Sequence, residues 1–147
     1  MKRICLSWSF MLAIAVATAA ANDPVLISKE VQAAFKKEFP GSEVLNWNTV
    51  GEYFRATFLL DGRRTDAYFS EDGQLQGSVR TLFFNQVPLA VMTAVDKRYT
   101  AADVMEVYEI TNVEGTAYRI TLESQEKKYR IKIDANGNIT QSEKLKK

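Results

Sequence analysis

The stretch SKEVQAAFKKEFPGSEVLNW, residues 28–47, sets Val31, Ala34, Phe35 and Phe39 at helical spacing, so one stripe is apolar while Lys29, Lys36 and Lys37 face water. Pro40 and Gly41 stop that helix. The device returns in PLAVMTAVDKRYTAADVMEV, residues 88–107, with Val91, Ala94, Val95 and Tyr99 on one stripe and Pro88 suited to a first helical turn. Val31, Ala34, Lys37 and Val44 recur sixty positions on as Val91, Ala94, Lys97 and Val104. After each helix the period changes to two. In YFRATFLL, Phe54, Ala56 and Phe58 alternate with Tyr53, Arg55 and Thr57; in YRITLE, Tyr118, Ile120 and Leu122 alternate with Arg119 and Thr121.

Further strands are expected at RRTDAYFS and KKYRIKID, then at QLQGSV and NITQSE, each flanked by Gly, Asp or Asn turns. The expected class is α+β, built from two tandem helix-plus-four-stranded antiparallel sheet repeats, at about 25–82 and 85–145 of a single domain over 22–147. One sheet face packs on the helices through Phe54, Phe58, Phe69, Leu75, Tyr118, Ile120, Ile131 and Ile133, and the other is wet. Between the copies, alternation cannot bury Phe83 and Phe84 on one sheet face together; either one of them is exposed or both pack at the junction, and packing is the favoured expectation.

The stretch DANGNITQ, Asp134 to Gln141, has the alternating oxygen side chains of a calcium loop. Its spacing fails, because an EF-hand loop places glycine sixth and glutamate twelfth, whereas Gly137 is fourth and Leu145 twelfth. Asn and then Gly before an apolar residue is hairpin chemistry, shared with SEDGQL, residues 70–75.

Composition narrows the chemistry. Lys2 and Arg3 precede an apolar run from Ile4 to Val16 and then small residues, so 1–21 reads as a secretory signal peptide, cut after Ala19 or Ala21. The only cysteine, Cys5, lies inside it, which leaves no thiol for a lipid anchor or a disulfide. The run is too short for a stable membrane span, and the expected destination is the periplasm or beyond. Losing Lys2 and Arg3 takes the basic residues from 19 to 17 against 18 acidic ones, a net charge of −1 that does not suggest nucleic acid as a partner.

Histidine is absent, so with no cysteine left the usual triads and zinc sets are impossible, and neither a metal nor a cofactor is expected. A carboxylate pair, Asp66 with Glu52 or Glu123, is the remaining enzymatic possibility, but the acids are spread like surface charge and no catalysis is expected. The wet face says more. Trp47, Tyr53, Arg55, Tyr68 and Arg119 are the candidate partner-binding residues, since aromatics with arginine anchor protein interfaces. The competing reading puts Trp47 in the core and pairs Arg55 across strands with Asp66 or its neighbours.

The motif order VQAAFKKEFPGSEVLNW, YFRATF, AYFSEDG, VPLAVMTAV, IDANGNI resembles the PepSY-like, beta-lactamase-inhibitor-like family of small exported proteins, over almost the whole mature chain. The resemblance implies the fold of beta-lactamase inhibitory protein (BLIP), two helix-plus-sheet units forming one curved surface that meets a protein target. A non-catalytic protein-binding module is therefore expected, an inhibitor or modulator of an unidentified exported or envelope protein. The alternative is a binder of a small molecule or envelope component held between sheet and linker near Phe83 and Phe84.

Overall fold

Ser28 starts the first helix by accepting a hydrogen bond from Val31 N at 3.2 Å on its Oγ, in a computed structural model that describes residues 25–146. The signal-peptide reading over 1–21 lies outside the described residues. Helix α1 (Lys29–Glu38) is followed by β1 (Val44–Val50), β2 (Tyr53–Leu60), β3 (Arg63–Phe69) and β4 (Leu75–Leu82). A 3-10 turn (Phe84–Gln86) leads to α2 (Leu89–Arg98), then β5 (Asp103–Asn112), β6 (Gly115–Ser124), β7 (Lys127–Asp134) and β8 (Ile139–Leu145). Pro88 caps α2, its carbonyl accepting from Val91 N at 2.9 Å and Met92 N at 3.1 Å.

The expectation of two tandem helix-plus-four-stranded sheets is corrected. All eight strands form one antiparallel sheet, in the order β1 to β8, with two short helices against it. The joint is β4 with β5, paired from Gly77↔Asn112 to Leu82↔Val107. Two separate sheets would each have left a bare edge there, with unpaired N–H and C=O groups; pairing satisfies both rows.

One face carries two apolar clusters. Val31 and Phe35 of α1 pack with Ala56, Phe58, Ala67 and Phe69, and Phe54 and Leu75 join them partly buried. Val91 and Val95 of α2 pack with Val107, Tyr118, Ile120, Leu122, Ile131 and Ile133. Each large buried side chain contributes roughly 1.5–3 kcal/mol by leaving water. Between the clusters the same face is polar: Arg80 Nη2 meets Glu109 Oε1 at 2.9 Å, and Tyr118 Oη donates to Glu109 Oε2 at 3.3 Å. Burial first, then the neighbouring Glu109 charge, hold the Tyr118 phenol above its ordinary range.

Two hairpin turns are pinned to the helices. Asp134 accepts from Asn136 N and Asn138 N, both at 2.9 Å, and from Asn138 Nδ2 at 2.8 Å. Those bonds, led by Asn138, hold its carboxyl below the usual carboxylate range. The turn it organises brings Gly137, at φ +89°, so close to α2 that a Cβ there would lie 2.5 Å from Ala90 O. Gly73, at φ +83°, meets α1 in the same way, with a Cβ 3.0 Å from Glu30 O. DANGNITQ thus shapes a turn that docks on a helix.

Candidate functional site: the uncovered sheet face

Alternation puts Phe54, Ala56 and Phe58 of β2 under α1 and turns Tyr53, Arg55 and Thr57 to the uncovered face. Cross-strand register then carries that face sideways, because directly paired residues share a side. Arg55 pairs with Asn48 on β1 and Tyr68 on β3; Tyr68 pairs with Gly77 on β4, and Gly77 with Asn112 on β5. One row beyond, Asp66, Val79, Ile110 and Ala117 follow one another across β3 to β6. The face is continuous across the β4–β5 joint.

Tyr53, Arg55 and Tyr68 are therefore brought together. With the Asn48 amide oriented to satisfy its neighbours, its oxygen accepts from Arg55 Nη2 at 3.2 Å and Asn46 Nδ2 at 2.8 Å. Arg55 Nε is buried without a protein partner. The Arg55–Asp66 ion pair of the competing reading is not made: Asp66 Oδ1 instead accepts from Thr57 Oγ1 at 2.6 Å. Arg119 shares the face but stands in the second half, between Tyr108 and Lys132, with its Cζ 5.0 Å from the Tyr108 ring centroid.

Trp47 belongs to the other side. Its ring lies 5.9 Å from Phe35 and 6.3 Å from Phe69, packed against the first cluster. The cause is a bulge in β1, where Val44 pairs with Phe58 and Asn46 with Thr57, leaving Leu45 as the extra residue. One inserted residue inverts the parity of the rest of the strand and swings Trp47 under α1.

A hollow of about 460 Å³ opens on the uncovered face beside Tyr53 and Tyr68, closed on the far side by Ile110, Val113 and Glu114, with Gly77 and Val79 at its floor. Residue alternation could not have flagged it, because register shifts between Leu75 and Gly77 in β4 and between Val104 and Glu106 in β5 invert the parity that puts Val79 and Ile110 on this face. The junction phenylalanines are divided. Phe84 packs against the second cluster, whereas Phe83 is 58% exposed beneath the Arg63 guanidinium, 3.7 Å from its ring centroid. They do not form the shared wall that a ligand between sheet and linker would need.

The carboxylates considered for acid–base work stay apart. Asp66 on β3 and Glu123 on β6 are three strand spacings from each other, about 14 Å, and Glu52 sits in the β1–β2 turn. Glycoside hydrolysis uses separations of about 5–9.5 Å. Among the described residues no group of three or more His, Cys, Asp or Glu is placed to hold a metal ion, and no helix is long and apolar enough to cross a membrane.

No protein-family profile matches the chain, and no curated protein matches it. Solved structures do. A BLIP-like protein from Bacteroides fragilis NCTC 9343 is 25% identical, with a TM-score of 0.74 over 82% of this chain and 88% of that one. A DUF2874 family protein from Bacteroides uniformis ATCC 8492 is 23% identical, with a TM-score of 0.73 over 81% and 90%. A candidate periplasmic protein from Bacteroides eggerthii DSM 20697 is 22% identical, with a TM-score of 0.73 over 81% and 89%. A single eight-stranded sheet with helices on one side, aligned over four fifths of the chain with these structures, gives the protein a BLIP-like fold.

Proposed function

We propose that this chain is a non-catalytic exported protein that binds another protein through the uncovered face of its sheet, as an inhibitor or modulator of an envelope enzyme. The observation that carries the reading is the cluster of Tyr53, Arg55 and Tyr68 beside a hollow whose far wall is Ile110 and Val113. Aromatics and arginine around an apolar depression are the usual anchors of protein interfaces. Kinship with the PepSY-like proteins, which its motif order resembles, is part of the same proposal. Likeness to a structure described as BLIP-like supports protein binding, and likeness to a candidate periplasmic protein supports export.

The test is affinity capture from envelope extract with the mature chain and with a Tyr53→Ala, Arg55→Ala, Tyr68→Ala variant whose circular dichroism matches it. A partner retained by the first and lost by the second is expected. Identical partner lists would remove this face from the proposal.

A further inference from the structure

The hairpin turns at one end of the sheet share a sign. Around the hollow, the β1–β2 turn carries Glu52, the β3–β4 turn Glu71 and Asp72, and the β5–β6 turn Glu114; residues 51–52, 70–74 and 113–114 contain no lysine or arginine. All four acids are exposed. The ion pairs among the described residues, Arg80–Glu109 and Arg130–Glu143, involve none of them. The other end of the sheet differs: Arg63 and Arg64 follow the β2–β3 turn, and Lys127 and Lys128 follow the β6–β7 turn. A second hollow, of about 650 Å³, lies between Glu52, Tyr53, Ser70, Glu71 and Asp72, so Tyr53 separates an acidic recess from the apolar one.

The apolar hollow is open at both rims. Tyr53 is 43% exposed on one wall and Val113 91% exposed on the other. Its floor is flat because Gly77 has no side chain between Tyr68 and Asn112. The cation on this part of the face, Arg55, is turned to Asn48. A lone acidic cluster would attract only counter-ions; one that borders an aromatic recess presents charge and apolar surface to the same incoming segment.

From this charge complementarity we infer that the segment bound here is a basic, apolar-tipped loop of the partner protein, with a large side chain seated between Tyr68 and Ile110 and lysine or arginine beside Glu52, Glu71, Asp72 and Glu114. The inference rests on the proposed function and names the chemistry of its partner. Acidic rims act chiefly on association and lose effect as salt rises.

The probe is a blocked hexapeptide with a Leu-Phe pair between two pairs of lysines, titrated into the mature chain and followed by amide chemical shifts. Its counterparts carry glutamate for lysine, or alanine for Leu-Phe. Shifts at Tyr68, Gly77, Ile110 and Val113 are expected from the first peptide alone. A Glu52→Gln, Glu71→Gln, Glu114→Gln variant should bind it about tenfold more weakly at low salt, with the gap closing in concentrated salt.

Equal binding of the glutamate or alanine peptide, an unaffected variant, or no binding at millimolar peptide would overturn the inference. Tyrosine-dependent capture from extract would still stand in those cases, so the two failures are distinguishable. A dimer in sedimentation that the triple substitution dissolves would also overturn it, by making a second copy with its Lys144 and Lys146 the occupant.

Discussion

Replacing Gly137 by alanine separates two effects that a hairpin glycine combines. At φ +89° any L side chain is strained, at a cost of about 1–2 kcal/mol. Gly62, at φ +73° in the β2–β3 turn, bears the same backbone cost, but a methyl group there would have nothing within 4 Å, so Gly62→Ala should cost about 1 kcal/mol. At Gly137 the methyl also meets Ala90 O at 2.5 Å, about 0.8 Å inside an ordinary carbon–oxygen contact. The obstacle is helix backbone, so the turn or α2 must shift, and overpacking of this kind adds about 1–3 kcal/mol. Gly137→Ala should therefore cost about 2–5 kcal/mol. Gly73→Ala should fall between the two, because its closest approach is 3.0 Å, to Glu30 O. Urea unfolding followed by circular dichroism gives the three differences at once. Equal midpoints for Gly62→Ala and Gly137→Ala would refute the docking of the last hairpin on α2.

The packed face yields two more expected outcomes. Trp47→Ala should cost about 2–4 kcal/mol in urea unfolding, because the ring packs on Phe35 and Phe69, yet leave partner capture unchanged; loss of capture with unchanged stability would return Trp47 to the site. Tyr118 is held protonated by burial and by Glu109, so its contribution is complete below the ordinary phenol value near 10 and falls as pH rises through its higher folded value. The stability margin of the wild type over Tyr118→Phe should accordingly stay constant up to about pH 9 and shrink as pH rises past about 10, and a margin that stays constant there would contradict the polar seam of Arg80, Glu109 and Tyr118.

Much of the local structure is legible because burial imposes a period. The stripe Val31–Phe35 and the alternation Phe54–Ala56–Phe58 each name an element and its buried side. Trp47 escapes that logic. The β1 bulge adds a residue whose only sequence signature is Leu45, an exposed leucine, and pattern alone cannot tell a bulged residue from a buried one. A second bulge in β5, between Val104 and Glu106, does the same at Met105 and decides that Val107 faces α2 while Tyr108 and Ile110 face away. The β4–β5 joint is illegible for another reason. Hairpin pairings are local and turn residues mark them, but Leu82 meets Val107 across a turn and a whole helix, with no motif to record it.

That joint is what makes the candidate site possible. Tyr53 and Tyr68 belong to strands before α2, Ile110 and Val113 to the hairpin after it, and the hollow exists only where β4 and β5 pair. Gly77 lies at the meeting point, and its missing side chain suits both neighbours: a Cβ there would lie 2.8 Å from Thr111 O, on the strand that closes the joint. The buried face tolerates the same joint differently. The second apolar cluster crosses it only at the Leu82–Val107 pair, and on the next row of this face Arg80, Glu109 and Tyr118 satisfy one another. The joint between the halves is thus hollow and partly apolar on the uncovered side, and on the helix side polar at Arg80–Glu109 and apolar only at Leu82–Val107. A partner seated in the hollow would contact both halves together, so their relative twist, set at β4–β5, fixes the spacing between the tyrosine wall and the Ile110–Val113 wall.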